Sequence, residues 1–179
     1  MAKSKILLTI ILLSFIAGCG YTTRSLLPAN FKSIYVGNFI NKVNLTAEQS
    51  NMRMYRGYRP GMEVDVTKAV IDRFIFDGNF KVASQDNSSL VLKGELTDFK
   101  RDALRYDAND NVEEYRIKLI VNLELTDVKT GKAVWTEKGF SGETTYRTGG
   151  SLMKTEAAAV KEATGDLARR VVERTVEEW

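Results

Sequence analysis

Cys19 is the only cysteine in the 179-residue chain, and its neighbours point its thiol to one chemistry. Ile16-Ala17-Gly18-Cys19 has the form of a bacterial lipobox. There the thiol takes up a diacylglycerol, the chain is cut ahead of the cysteine, and the new amine is usually acylated. A thiolate is the nucleophile this needs, and the small Ala17 and Gly18 leave the backbone open to a peptidase. Upstream, Lys3 and Lys5 precede an apolar run, Ile6 to Ile16, broken only by Thr9 and Ser14. A positive head, a short apolar run and a small-residue exit describe a secretory signal. The run is about 11 residues, short of the ~20 needed to cross a bilayer. A non-lipidated signal with a chance cysteine, or a short buried helix, is the competing reading. Residues 1–18 are thus expected to be a cleaved lipoprotein signal, 19–30 a lipidated tether, and 31–179 a single domain. One acyl chain holds a membrane only marginally, whereas two or more anchor stably. From Cys19 to Phe31 the tether reaches at most about 40 Å.

The second chemically loaded stretch is Arg53, Tyr55, Arg56, Tyr58 and Arg59, with no acid between Asn51 and Pro60. Arginine pairs bidentately with phosphate, and tyrosine offers amphipathic contact area. Lipid phosphates, or acidic groups on a partner, suit such a cluster; a solvated loop with locally paired arginines suits the same residues equally. Lys100, Arg101, Arg105 and Tyr106 form a second basic group, largely neutralised by Asp98, Asp102 and Asp107. Asp107, Asn109 and Asn111 have calcium-like spacing but lack the glycine and distal glutamate of a calcium loop, so a plain turn is expected.

The chain has no histidine, and lipidation consumes its one thiol. That removes the commonest general base, metal ligand and sulfur nucleophile. Carboxylate or Ser-Lys catalysis stays chemically open, but no spacing proposes it. No catalytic residue, metal or cofactor is expected. The signal holds two lysines and no acid, so 26 basic residues fall to 24 in the mature chain, against 23 acidic, a net of +1. Such a balance does not call for nucleic acid.

The elements that must position these residues follow from periodicity. Ser33 to Phe39 is expected as a strand, with Ile34 and Val36 on one face and Tyr35 and Phe39 on the other. Ile40 to Gly61 has no period and reads as a long loop. Glu63 to Phe76 reads as a helix with a Val66, Val70, Phe74 stripe widened by Ile71 and Ile75, capped by Asp65 and closed by Gly78. Strands are expected over Phe80–Ala83, over Leu90–Phe99 with a continuation toward Tyr106, over Val112–Leu125 and over Ala133–Tyr146. In Val112–Leu125 the odd positions from Tyr115 to Leu125 are apolar, while Arg116, Lys118 and Glu124 face the other way. That is a sheet with one face buried and one wet. Ser151 to Trp179 reads as a helix about 42 Å long, capped by Ser151. The order predicts an α+β two-layer sandwich, a mixed four- to five-stranded sheet with two helices packed on one face.

Cys19-Gly20-Tyr21, Leu26-Leu27-Pro28, Ser33-Ile34-Tyr35-Val36, Arg59-Pro60-Gly61-Met62-Glu63, Leu92-Lys93-Gly94, Glu114-Tyr115-Arg116, Thr130-Gly131-Lys132 and Trp135 occur in an order and spacing that resembles the LPS-assembly outer-membrane lipoprotein family, LptE. The resemblance implies a non-enzymatic partner of the outer-membrane β-barrel LptD. Such a partner sits in the barrel lumen as a plug, supports the barrel's assembly, and assists lipopolysaccharide insertion. It also implies a lipid anchor in the inner leaflet of the outer membrane, with the protein facing the periplasm. The 41–60 loop departs from familiar members by its length, and no ligand contact transfers residue by residue. Two other readings stay open on the residues alone: a lipoprotein pilot or adaptor of another envelope secretion machine, and a carboxylate-dependent periplasmic hydrolase.

Overall fold

The computed structural model describes residues 31–43 and 59–177. In chain order these form β1 (Ser33–Val36), β2 (Ile40–Asn41), α1 (Met62–Asp77), β3 (Lys81–Val82), β4 (Leu90–Tyr106), β5 (Val112–Asp127), β6 (Ala133–Arg147) and α2 (Glu156–Glu177), with a 3-10 turn at Gln85–Asn87. One mixed sheet has the order β3-β1-β4-β5-β6, and β2 pairs with β4 past the end of β1. β1 runs parallel to β3 and β4, and β4, β5 and β6 form an antiparallel meander. This is the expected α+β architecture with six strands instead of four to five. The excess is β2, which holds two residues and is too short to show a period; β3, expected over Phe80–Ala83, is confined to Lys81–Val82.

The core follows the alternation of β5. Ile117, Leu119, Val121, Leu123 and Leu125 point to the helices; Leu92, Leu96 and Phe99 of β4 stand opposite Leu125, Val121 and Leu119, and Leu90 extends the buried row. From above come Val66, Val70 and Phe74 of α1 and Ala163, Leu167 and Val171 of α2. Each large side chain so buried contributes roughly 1.5–3 kcal/mol. Two expectations for α1 are corrected. Ile75 is exposed, so the apolar stripe is narrower than its sequence suggested. The residue at the N-cap is Gly61, at φ 96°, and Asp65 sits inside the first turn, where its charge favours the positive helix end. Gly78 closes the helix as expected, donating its N–H to the Phe74 carbonyl at 3.1 Å.

Phe39 is also corrected. Val36 lies opposite Leu92 and Ile40 opposite Glu95, so β1–β2 spends one more residue than β4 over the same length. That extra residue reverses the alternation and turns Phe39 into the core, away from the Tyr35 face. Its ring lies over Gly94, where a Cβ would collide with it. Its N–H donates to the Thr67 hydroxyl at 2.9 Å.

α2 starts later than expected. Ser151 lies in a turn, Lys154 returns its N–H to the Arg147 carbonyl at 3.1 Å, and Thr155 caps the helix by accepting the Ala158 N–H at 3.2 Å. The 22 residues span about 33 Å. The helix also shields the outer edge of β6. The Asp166 carboxylate accepts the Glu143 N–H at 3.1 Å, and Arg170 donates to the Ser141 carbonyl at 2.7 Å. Such cover blunts an edge that would otherwise pair with another chain.

Two glycines on this contact carry opposite expectations. A Cβ on Gly142 would run into the Leu167 backbone, which cannot yield cheaply. Gly142→Ala should lower unfolding free energy by about 1–3 kcal/mol. Gly165 faces open space on α2, so Gly165→Ala should raise it by up to about 1 kcal/mol. Denaturant melts of both variants check the signs.

Candidate functional site

Because both helices cover one side of the sheet, the other side is left to meet solvent or a partner. Across β1, β2, β4, β5 and β6 it forms a groove of about 530 Å³. Its apolar floor comes from Tyr35, Val91 and Ile40, and its polar walls from Lys93, Glu95, Asn122, Glu124, Thr136 and Lys138. The geometry has a simple source. Lys93, Glu95 and Glu124 occupy the positions between the core residues of β4 and β5, so the pleat delivers them to the open face. Gly139, at φ 68°, makes a bulge opposite Asn122, whose side-chain oxygen accepts the Gly139 N–H at 3.0 Å. The bulge places Lys138 at the groove's edge.

Charges are arranged differently along this face. Toward the far end of the meander they neutralise one another: Lys100 with Asp98 at 3.5 Å, Lys118 with Glu143 at 4.0 Å and Arg105 with Glu114 at 3.8 Å. In the groove, Lys93, Glu95, Glu124 and Lys138 form no ion pair within 4 Å among the described residues. The groove therefore offers two cations and two carboxylates, flanking apolar area, to a ligand or protein surface.

On the helix side, the core ends in a polar cap. The Arg101 guanidinium lies 3.9 Å from the Tyr115 ring centre, and that ring stacks on Tyr146 at 5.7 Å. Glu156, in the first turn of α2, accepts from the Tyr146 hydroxyl at 3.1 Å and pairs with Arg101 at 3.0 Å. Burial first, and then the Glu156 charge, push the Tyr146 phenol up to about 12, against the opposing pull of Arg101. This cluster locks the start of α2 to the meander.

Of the residues singled out in the sequence, Cys19, Arg53, Tyr55, Arg56 and Tyr58 lie outside the described residues. Arg59 is exposed just ahead of α1, its N–H 3.4 Å from the Met62 sulfur, and it does not line the groove. Arg101, expected to be neutralised by nearby aspartates, instead pairs with Glu156. Asp107 forms the plain turn expected: its carboxylate accepts from Asn111, backbone and side chain, and from the Asn109 N–H. Those hydrogen bonds, the Asn111 side chain first, hold it below the usual carboxylate range. Among the described residues, no group of His, Cys, Asp or Glu could hold a metal ion. The groove residues Lys93, Glu95 and Glu124 were legible as outward positions. Ile40 and Lys138 were not, since β2 is two residues long and the bulge interrupts β6.

Fold and site together define a two-layer α+β domain with a helix-covered face and an open, grooved face. The lipopolysaccharide-assembly family model, LptE, matches residues 31–175, and the chain belongs to that family. Among solved structures, protein XCC0632 from Xanthomonas campestris shares 14% identity over 87% of this chain and 89% of that one, with a TM-score of 0.54. The hypothetical protein CT253 from Chlamydia trachomatis shares 9% over 81% and 95%, with a TM-score of 0.53. Both share the fold. Rare lipoprotein B from Shewanella oneidensis aligns at 18% identity over 80% and 93%, with a TM-score of 0.48. No curated protein matches the chain.

The Tyr146 environment sets a pH dependence. An unfolded tyrosine ionises near 10, whereas Tyr146 stays neutral to about 12. Its contribution to stability is complete below about pH 10 and is lost as pH rises toward 12. Tyr146→Phe should flatten that part of the stability profile, measured by denaturation across about pH 9–12.

Proposed function

We propose that this chain is a lipoprotein anchored through Cys19 in the inner leaflet of the outer membrane and facing the periplasm. There it plugs and supports the assembly of an LptD-type export barrel and assists lipopolysaccharide insertion into the outer leaflet. In this reading residues 1–18 are a removed signal, 19–30 a tether and 31–179 the working domain, which acts as a partner and not as an enzyme. The family match over residues 31–175 carries the proposal. The open face fits it: a plug needs a surface with groups reserved for its surroundings, and the groove charges are unpaired among the described residues. The arginine and tyrosine residues from Arg53 to Arg59 are proposed to meet lipid phosphates or acidic groups of the barrel lumen.

Native purification from outer membranes in gentle detergent should recover the chain with a large β-barrel. Recovery of the chain alone sinks the proposal. Lys93→Glu combined with Lys138→Glu should weaken that complex about tenfold or more, a loss of roughly 1.4 kcal/mol. Both side chains are exposed, so the melting temperature should hold. The triple variant Arg53→Glu, Arg56→Glu, Arg59→Glu should weaken lipopolysaccharide or barrel binding with the domain still folded. Unchanged binding of both removes this loop as the site.

A further inference from the structure

The two ends of the sheet are not alike. The described chain begins at Phe31, and β1 starts two residues later. The start of β3 lies beside it, with the Lys81 N–H donating to the Lys32 carbonyl at 2.9 Å. α1 ends next to this point, because only Gly78, Asn79 and Phe80 separate it from β3. The β5–β6 turn joins the same end: the Ser89 N–H donates to the Ser33 carbonyl at 3.2 Å, and the Val128 N–H to the Ser89 carbonyl at 3.1 Å. This pole exposes three large apolar side chains: Phe76 at 80%, Ile75 at 63% and Val128 at 47%.

Cations share this end with them. Arg73 lies 5.2 Å from the Phe76 ring centre, with its Nε buried and lacking a hydrogen-bond partner. Lys32, Lys81, Lys129 and Lys132 are all exposed at this end. None of these five is in an ion pair among the described residues. Asp77, which accepts from the Asn79 side chain at 2.7 Å, and Asp127, which accepts the Lys129 N–H and the Thr130 hydroxyl at 2.9 Å each, keep their negative charges. Asp72 on α1 and Asp86, one residue before the Asn87 carbonyl that accepts from the Ser33 hydroxyl at 3.2 Å, are exposed acids at this end, so five cations stand with four carboxylates here.

We infer that this pole seats the domain on an anionic phospholipid surface. Phe76 and Ile75 enter the headgroup boundary, and Arg73 and the lysines meet lipid phosphates. Aromatic and aliphatic side chains bordered by cations are the chemistry of interfacial attachment. Position on the chain supports it. The tether runs from Cys19 to Phe31 at this pole, so a lipid held at Cys19 keeps the pole within about 40 Å of its leaflet. The inference rests on lipidation at Cys19, and its test separates the two.

The test uses the lipidated full chain carrying Phe76→Trp, in phosphatidylethanolamine–phosphatidylglycerol vesicles. Intact mass reports the acylation at Cys19 independently. The added fluorescence should be blue-shifted and quenched when the lipids are brominated, relative to the same chain with only its native tryptophans. Lys81→Gln and Lys129→Gln should each reduce the seated population's equilibrium constant by about fivefold. An acylated Phe76→Trp chain whose added emission is identical in brominated and plain vesicles overturns the seating and leaves the anchor standing. Quenching in a chain that lacks acylation supports the seating and removes the anchor. Quenching that is missing in lipid alone, with a blue shift only when a protein partner is added, overturns the lipid assignment.

Discussion

The close approach of α2 to β6 at Gly142 is the contact on which the rest depends. Leu167 N and Cα occupy the space that a side chain at 142 would need. With the helix axis this near the sheet, Ala163, Leu167 and Val171 reach the core row of β5, and Asp166 and Arg170 reach the backbone of β6. One missing methyl thus sets both the depth of the core and the protection of the β6 edge. The same device recurs at Gly94, where the space above β4 is filled by Phe39. Interiors pack too densely for either position to tolerate a larger residue without displacement.

This explains which parts of the fold were readable from the chain. β5 was readable because its whole length obeys one period: every odd residue from Ile117 to Leu125 is buried. The stripe of α2 was readable for the same reason: Val160, Ala163, Leu167 and Val171 recur every three or four residues and all are buried. The failures share a cause as well. Phe39 sits beside a single-residue irregularity, where alternation reverses and local pattern assigns the wrong face, and Lys138 sits beside another, where local pattern assigns no face. Ser151 resembles a cap by type, but the pairing of Arg147 with Met153 delays the helix. Ile75 fits the helical period but lies just beyond the width that the sheet can cover. Gly142 was legible as a glycine in a strand and not as a packing site, because its partner Leu167 lies on a different element far along the chain.

The site was legible in outline. A sheet with helices on one side must leave the other face open, and the lysines and glutamates between core residues of β4 and β5 had to emerge there. The chain does not announce locally which of those charges would be satisfied by neighbours. Lys118 is matched across strands with Glu143 and Lys100 along its own strand with Asp98, whereas the twist and bulge around Lys138 leave the groove charges without such partners among the described residues. Unpaired exposed charges cost the free domain little, because water solvates them. Their worth appears only on contact, where complementary groups gain and mismatched ones are penalised. A surface of this kind favours selection among partners over raw affinity.

Polarity along the sheet adds a second constraint. The paired charges and the Arg101–Glu156–Tyr146 cap lie toward one end, and the apolar knob of Ile75 and Phe76 lies toward the other, at the end where β1 starts. A tethered domain free to tumble would present its open face in every direction. A domain held by lipid at one pole presents that face side-on to the membrane normal, so a partner embedded in the same membrane meets the groove without an orientational search. Holding one pole removes most of the rotational freedom that association must otherwise cost. Under the proposed lipidation, an anchor at Cys19 and a small interfacial patch would together orient the groove more effectively than either alone, since the second contact forms at the effective concentration set by the first.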